Sequence, residues 1–548
     1  MHETTGKATA RNSRREFFAS GGAIAAGIYL GGPAIGRAAA VETLAINGGR
    51  KAHHKDTVSI RNLMPGRNAM RWPFMCAIAL LLGSQLQPEA LPAEQSRVFR
   101  VGLSQVDITP EKLPVSMLGS FSDRPATSVH DPLYVRTLVL DDGTLRVAIA
   151  VCDICAVPRE LFDEAKRRAA QSTGIPPQQM LMAATHTHTA PAVVDLLDAV
   201  PVDAEYTRLL VAKMAEGVEK AAGRLAPAEI GWGLGSLPEE VGNRRWLKKE
   251  GTIPPNPFGE TGDRAQMNPS AGSPDLVHPA GPTDPDVSLL SVVEPGGRAR
   301  ALLANYSLHY VGGIPAGMLS ADYFGEFCGQ IRQRLAPDAG PDEFLGILSN
   351  GTSGDINNID FLKPRPRAEP FQRIREVAGR VADVAAQAQR QVKHQAWVPL
   401  SMVEREIEVG VRKPNAEQLQ QAQALLADLK EKAHGPVPEY YARSSLRLSQ
   451  WPDTVKIKLQ ALRIGDLAIT AMPCEVFAEI GLEIKRRSPL RPVFVIQLAN
   501  GYNGYLPTPQ QHALGGYETW RAPSSYLEVT ASRKMTETLL EMLAELAR

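Results

Sequence analysis

The chain has 548 residues, of which 44% are hydrophobic and 22% are charged, and its 60 basic and 59 acidic side chains leave a formal net charge of +1. Such a composition is typical of an ordinary globular protein that can bury a large core. A net charge this close to zero provides no basic field to attract phosphates, so nucleic acid is not an expected partner.

Two segments near the N-terminus have the pattern of export signals. Paired arginines within residues 13–18 precede a glycine-rich apolar stretch and three alanines at 38–40, which is the layout of a twin-arginine signal; the alternative is a basic, disordered N-terminus. A second apolar run begins soon after Met70 and resembles a Sec-type signal peptide over 70–93. Both runs are too short to span a bilayer, so we expect an exported protein, periplasmic or secreted, with no transmembrane segment in the mature chain.

Between the two signals, residues 41–52 resemble the opening of DegT-type pyridoxal-phosphate aminotransferases, yet nothing downstream continues that family. Our hypothesis is that residues 1–69, with their twin-arginine-like leader, derive from another reading frame or a misplaced start. Met70 would then begin the working protein.

From residue 97 onward, apolar runs bounded by turn residues alternate with helical patterns, which predicts one large α/β domain over 97–548, with layered mixed sheets and flanking helices. The predicted strands are 99–107, 133–140, 145–152, 180–185, 226–235, 288–293, 298–307, 344–348, 400–409, 454–464, 467–472 and 493–498. The predicted helices are 159–172, 204–225, 324–335, 370–396, 416–432, 476–488 and 533–548. The proline- and glycine-rich span 251–285 predicts a long surface excursion of a kind that is often functional.

The five cysteines are scattered and too few for a disulfide framework in a chain of this length. Cys152 and Cys155 have CxxC spacing, but they end an apolar run and no second pair follows. We expect buried apolar residues, with a redox or zinc-ribbon role as the alternative.

His186 and His188 form an HxH motif at the end of the predicted strand 180–185. In an extended chain, residues two apart point to the same side, so both imidazoles would face one space and Thr187 the other. Such a pair suits a metal ligand with a neighbouring proton carrier, although HxH alone is weakly specific.

Three further motifs follow predicted strands. His309 ends an apolar run, where a buried core histidine is the alternative to a ligand. A polar, glycine-bearing loop at 349–358 allows backbone to approach a ligand closely, but many such loops are simple turns. Glu475 follows a strand at the start of a helical stretch, where by itself it would complement the helix dipole.

Taken in this order, the motifs resemble the catalytic domain of neutral, non-lysosomal ceramidases, which are zinc amidases. The similarity runs from residue 99 to about 517 and begins with the sequence VGLSQVDITP at 101–110. The family's HTHSGP motif is HTHTAP here, its glutamate motif is PCE at 473–475, and its NxYxxYxxT motif begins at Asn500. The resemblance implies four ligands for one zinc ion per chain: His186, His309, Glu475 and Tyr505. It implies further active-site roles for His188, Arg244 of the Asn-Arg pair, Tyr517 and Asn357.

The chain departs from the family at Asn357, which stands where ceramidases have an active-site serine. Asparagine cannot act as a hydroxyl nucleophile, but its amide still donates and accepts hydrogen bonds. The chain also ends soon after the last motif, without the C-terminal immunoglobulin-like domain of ceramidases. We therefore expect an N-acyl substrate that need not be ceramide.

The resemblance implies an exported zinc-dependent hydrolase of linear amides, acting on a small-molecule or lipid N-acyl amine. Zinc would lower the pKa of a water, His188 would pass its proton to the leaving nitrogen, and Tyr517 and Arg244 would steady the oxyanion. One alternative is a zinc esterase or lactonase on the same scaffold. The other is a catalytically silent binding protein, which Asn357 motivates.

Overall fold

The computed structural model describes residues 97–196, 200–340, 343–364, 367–428 and 436–548. The predicted leader at 1–69, the aminotransferase-like stretch within it and the Sec-like segment at 70–93 lie outside these ranges. Across the described ranges, no helix has both the length and the apolar character needed to cross a bilayer.

The strands of the described residues alternate with helices along the whole chain. In chain order they are β1 (Arg100–Asp107), β2 (Val115–Ser116), β3 (Pro125–Ala126), β4 (Ser128–Val129), β5 (Tyr134–Asp141), β6 (Arg146–Cys152), β7 (Met180–Ala184), β8 (Ala226–Pro227), β9 (Glu229–Ser236), β10 (Gly242–Asn243), β11 (Arg245–Lys248), β12 (Ala265–Met267), β13 (Leu276–Pro279), β14 (Asp286–Val293), β15 (Ala299–Tyr306), β16 (Met318–Leu319), β17 (Leu345–Asn350), β18 (Ile356–Asn357), β19 (Leu400–Gly410), β20 (Thr454–Ile464), β21 (Leu467–Met472), β22 (Glu475–Val476), β23 (Val493–Gln497) and β24 (Tyr505–Leu506). The helices are α1 (Arg159–Thr173), α2 (Ala204–Ala222), α3 (Asp322–Leu335), α4 (Gln372–Gln389), α5 (Ala416–Asp428), α6 (Pro436–Ser449), α7 (Ala478–Arg487), α8 (Pro509–Leu514) and α9 (Ala531–Leu546). Short 3₁₀ turns lie at Pro177–Gln179, Pro238–Glu240 and Tyr517–Thr519.

Three mixed sheets organise the molecule. Their strand orders are β7-β6-β5-β1-β8, β17-β15-β14-β9 and β19-β20-β21-β23. Each sheet combines antiparallel strands with one parallel pair at an edge: β6 with β7, β15 with β17, and β21 with β23. Because ligands in α/β proteins bind beyond the carboxyl ends of parallel strands, these three edges are where a site is expected.

One apolar cluster joins the three sheets. It contains Leu103 and Ile149 of the first sheet, Leu290 and Leu303 of the second, and Ile469 of the third, all buried. Helices α1 and α2 cover the outer face of the first sheet, α3 and α4 that of the second, and α7 and α9 that of the third. The predicted fold class, layered mixed sheets with flanking helices, is therefore confirmed.

The predicted long strands and helices lie within a few residues of those observed, with three informative differences. The predicted strand 226–235 is two strands, since β8 pairs with β1 of the first sheet and β9 with β14 of the second. Helix α4 ends at Gln389 rather than 396, because the chain returns to pair with the sheet, where Gln395 donates to the carbonyl of Ile230. Helix α6 was not predicted; its prolines lie in the first turn, where proline is tolerated.

The span 251–285 is more ordered than the surface excursion that its composition predicts. It contains β12 and β13, which flank β11 in a small three-stranded sheet. This sheet carries Met267 and Asn268 to the wall of the cavity described below. Pairing with β11 could not be inferred from the proline- and glycine-rich composition.

Lys166 of α1 is fully buried, and its Nζ donates to Oδ1 of Asn500 at 2.6 Å. Burial, reinforced by the positive charge of Lys458, lowers the pKa of Lys166 from 10.5 to about 7. The unfolded chain therefore holds one more proton than the folded protein between these two pH values, and stability rises with pH across that window.

Substitution Lys166→Met is expected to abolish this rise, whose slope is at most about 1.4 kcal/mol per pH unit. Oδ1 of Asn500 keeps a partner in the backbone N–H of Met182 at 3.3 Å. Urea denaturation between pH 7 and 9.5 measures the slope, and Lys456→Met at an exposed position of β20 is the control. A slope retained in Lys166→Met would contradict the account of this lysine.

Candidate metal centre

Three predicted ligands converge at the carboxyl ends of the parallel strand pairs. His186 follows β7, His309 follows β15, and Glu475 opens β22 just after β21, and all three side chains are buried. Nε2 of His186 lies 3.0 Å from Nε2 of His309 and 3.2 Å from Oε2 of Glu475. Nε2 of His309 lies 3.8 Å from the same carboxylate oxygen. The three atoms are close enough to bind one ion.

The hydrogen bonds on the far side of each imidazole fix which nitrogen faces the centre. Nδ1 of His186 lies 2.7 Å from the carbonyl oxygen of Cys155, and Nδ1 of His309 lies 2.9 Å from that of Ser353. A carbonyl oxygen can only accept, so each Nδ1 carries the hydrogen and each Nε2 presents a lone pair. Carbonyl partners of this kind orient metal-binding histidines.

Glu475 completes the group of facing atoms. Its Oε1 accepts from the Tyr502 hydroxyl at 2.9 Å, whereas its buried Oε2 has no hydrogen-bond partner among the described residues. When His186 is neutral, its Nε2 lone pair and that of His309 face this carboxylate oxygen, and a cation between them would offset the cost of burying the three atoms together. The two imidazole nitrogens and the carboxylate oxygen therefore fit the ligands of a divalent metal ion.

Electrostatics support the same arrangement. Although burial opposes ionisation, His186 and Arg244 hold the pKa of Glu475 below its usual value, so the carboxylate is charged. Burial, together with Arg244, holds the pKa of His309 well below its usual range, so this imidazole is neutral. Burial lowers the pKa of His186, but Cys155 and Glu475 raise it by more, to well above its usual value. A proton and a metal ion therefore compete for the lone pair of His186.

Tyr505, the fourth predicted ligand, lies beside this set. Its strand β24 pairs with β22 so that Tyr505 is directly opposite Glu475, and both residues line the same cavity. Its ring packs 5.4 Å from Cζ of Arg244 and 5.7 Å from the ring of Tyr517. Burial, and next the Glu475 charge, raise the pKa of Tyr505 well above 10, so its phenol is neutral before a cation binds.

His188 lies next to the three converging atoms, with its Nε2 3.2 Å from Nε2 of His186. It stacks on Tyr310 at 3.9 Å, and burial and His186 hold its pKa well below the usual range, so it is neutral. Gly119 permits this packing, because a Cβ there would lie 2.4 Å from Nδ1 of His188.

The prediction that an extended backbone brings His186 and His188 together was wrong. Strand β7 ends at Ala184, and His186 has a φ of 77°, so the motif is not extended. A left-handed residue, rather than the alternation of a strand, brings the imidazoles together. Thr187 does point away from them, since its hydroxyl donates to the carbonyl of Ser320.

Arg244 lies between β10 and β11 and is buried. Its Nη1 lies 3.4 Å from Nε2 of His309, and its Nε donates to Glu518 at 2.9 Å. Arg245 donates to the other oxygen of Glu518 at 2.6 Å, so one buried carboxylate holds two guanidinium groups. Sequence reasoning missed Glu518, whose one signal was its position next to Tyr517.

Asn357 contacts the site through a second asparagine. Its Nδ2 donates to Oδ1 of Asn268 at 2.6 Å, and its Oδ1 accepts from the backbone N–H of Ile359. Asn268 has a φ of 46° and lines the cavity, whereas Asn357 is not among the described residues that do so. Asn268 lies in the predicted excursion and carries no motif that would have identified it.

A cavity of about 610 Å³ opens above the converging atoms. All the predicted site residues except Asn357 line it, together with Cys155, whose Sγ lies 3.7 Å from Nδ1 of His186. The other lining side chains are largely apolar or aromatic. They include Met117, Leu118, Phe121, Leu196, Tyr310, Ile314 and Tyr440. Cavities of this size and character bind small organic molecules.

Comparison with known proteins identifies the fold. No protein-family model matches the chain, and no curated protein matches it. Among solved structures, a neutral ceramidase from Pseudomonas aeruginosa superposes with a TM-score of 0.60 at 18% sequence identity, covering 82% of this chain and 75% of its own. The chain has a neutral-ceramidase-like fold. A ceramidase complexed with C2 superposes with the same TM-score, identity and coverage. At this identity the likeness concerns the fold, and the chemistry must be argued from the site itself.

Removing the carboxylate of Glu518 is expected to destabilise the protein strongly. In Glu518→Ala, Arg244 and Arg245 would remain buried without their shared partner, which costs about 3–5 kcal/mol for a buried ion pair broken on one side. Urea denaturation measures the loss. Glu541→Ala is the matched control, because Glu541 is exposed in its pair with Arg405 and its loss is expected to cost less than about 1 kcal/mol. Equal effects of the two substitutions would contradict this role.

Proposed function

We propose that the protein is an exported zinc-dependent amide hydrolase that cleaves an N-acyl amine or N-acyl lipid. The observation that carries the proposal is the convergence of three buried acceptor atoms at the base of an apolar cavity. The zinc ligands would be His186, His309, Glu475 and Tyr505. Export rests on the signal-like segments at 13–40 and 70–93.

Zinc suits this ligand set better than magnesium or calcium does. Two imidazoles and a carboxylate are a recurrent catalytic zinc set that leaves a coordination position open, while magnesium and calcium prefer oxygen ligands alone. When bound, zinc would polarise a carbonyl and lower the pKa of a water to about 7. Cys152 is not available as a ligand, since it is buried in the first sheet and its thiol donates to the carbonyl of Ala183.

The chain's own residues would handle the proton and the developing charge. His188 is neutral and adjacent to the ligands, so it can take a proton and deliver it to the leaving nitrogen. Arg244 points a guanidinium edge into the centre, and its buried Nη2 has no acceptor. Burial raises the pKa of Tyr517, so its phenol keeps the proton that it would donate to an oxyanion.

Asn357 would act indirectly. Its contact with Asn268 holds a second amide at the cavity wall, where that amide can contact the substrate. A hydroxyl nucleophile is not required in this scheme, because the attacking group derives from water.

The test is hydrolysis of N-dodecanoyl amines by zinc-loaded protein, followed by release of dodecanoate. His188→Ala is expected to lower kcat about 10²- to 10⁴-fold while zinc content is retained, because it removes the proton carrier. His186→Ala is expected to lose zinc and activity together. His278→Ala, an exposed histidine, is the control that should leave both unchanged.

Three results would contradict the proposal, each in a different way. Cleavage of dodecanoyl esters without any amide cleavage would indicate an esterase or lactonase. Stoichiometric zinc with no hydrolysis of either would indicate a silent binding protein. Activity that survives both chelation and His186→Ala would mean that the centre is not the catalytic site.

A further inference from the structure

Arg124 lies at the cavity wall next to His188 and is held in a fixed position. Its Nη2 donates to the carbonyl oxygens of His188 at 3.1 Å and of Leu118 at 3.2 Å. These two bonds use one nitrogen of the guanidinium. Its Nη1 and Nε make no hydrogen bond to any described residue, and the Nε is buried.

The charge of Arg124 is not neutralised within the described residues, since no carboxylate there lies within ion-pair distance of it. The other charged groups of the cavity each have charged or hydrogen-bonding partners among the described residues. Arg244 pairs with Glu518, and Glu475 faces the converging histidines. Asp322 accepts three backbone N–H groups, those of Val311, Gly312 and Tyr323, at 2.6–3.0 Å.

The positive charge of Arg124 lies beside the reacting centre, because its Nη2 bonds to the carbonyl of His188 and both residues line the same cavity. A bound divalent cation would make this cavity more positive still. A neutral substrate gains nothing from such a field, whereas an anionic one is attracted to it.

We propose that Arg124 is a specificity-determining residue that binds a carboxylate on the amine part of the substrate, so that the enzyme prefers N-acyl amino acids. This inference rests on the proposed amide hydrolysis. The Nη1 of Arg124 makes no hydrogen bond to a described residue and can donate to a carboxylate oxygen, and a charge-assisted bond of this kind is stronger than a neutral one. The carbonyl of His188 holds Arg124 in place, and His188 is the proposed proton carrier to the leaving nitrogen. The carboxylate that Arg124 binds would therefore lie on the amine part of the substrate.

The reaction balances with water as the second substrate. The amide C–N bond breaks and a C–O bond to water oxygen forms. One proton of water passes to the leaving nitrogen, and the second leaves the new carboxylic acid and protonates the released amine. The products are a fatty acid carboxylate and a free amino acid. The apolar lining, including Leu196 and Ile314, would accommodate the acyl chain.

The test compares N-dodecanoylglycine with N-dodecanoylglycinamide, which differ only in the carboxylate. Wild type is expected to have at least a 10-fold higher kcat/KM for the glycine conjugate, and Arg124→Gln to lose about 10- to 100-fold on that substrate alone, as expected for a lost charged hydrogen bond. Arg124→Lys keeps the charge but loses the planar guanidinium that the Leu118 and His188 carbonyls hold in place, and it should be intermediate. Arg168→Gln, an exposed arginine of α1, is the control.

The outcomes separate this inference from the proposed function. An equal loss on both substrates in Arg124→Gln would mean that Arg124 only supports the loops of Leu118 and His188, and would overturn the inference. A wild-type preference for the glycinamide conjugate would also overturn it while leaving amide hydrolysis intact. Hydrolysis of neither conjugate by zinc-loaded protein would overturn both.

Discussion

The site depends on one constraint: the Nε2 atoms of His186 and His309 and a carboxylate oxygen of Glu475 meet in a buried space, 3.0–3.8 Å from one another. Burying such a set is costly unless a cation joins it. The backbone carbonyls of Cys155 and Ser353 keep this arrangement in place, because they fix the hydrogen of each imidazole on the outer nitrogen. Everything proposed about chemistry follows from that geometry.

The fold explains how residues almost three hundred positions apart reach one point. Each main sheet ends in a parallel strand pair, and the chain leaving each pair delivers one of the three converging side chains: His186 from the first sheet, His309 from the second and Glu475 from the third. The shared apolar cluster between the sheets holds the three edges together. A buried ion-pair network around Glu518 then supports Arg244 from behind the site.

Much of this could be predicted from sequence, because the long strands and helices have clear apolar periodicity and the ligands stand directly after strands. What local patterns could not supply were contacts made across the fold. The left-handed backbone of His186, the pairing of Glu475 with Tyr505, and the bond from Asn357 to Asn268 all depend on partners far away in the chain. Arg124 and Glu518 carry no motif, and their importance follows from where their charges lie and which groups neutralise them.

The central claim, that these acceptors bind a metal ion, is tested most directly by diffraction from zinc-loaded crystals at wavelengths on either side of the zinc absorption edge. The account predicts an anomalous peak about 2.0–2.2 Å from Nε2 of His186, Nε2 of His309 and Oε2 of Glu475. The absence of an anomalous peak at that point in zinc-loaded crystals, with a proton shared between His186 and Glu475 instead, would contradict the claim.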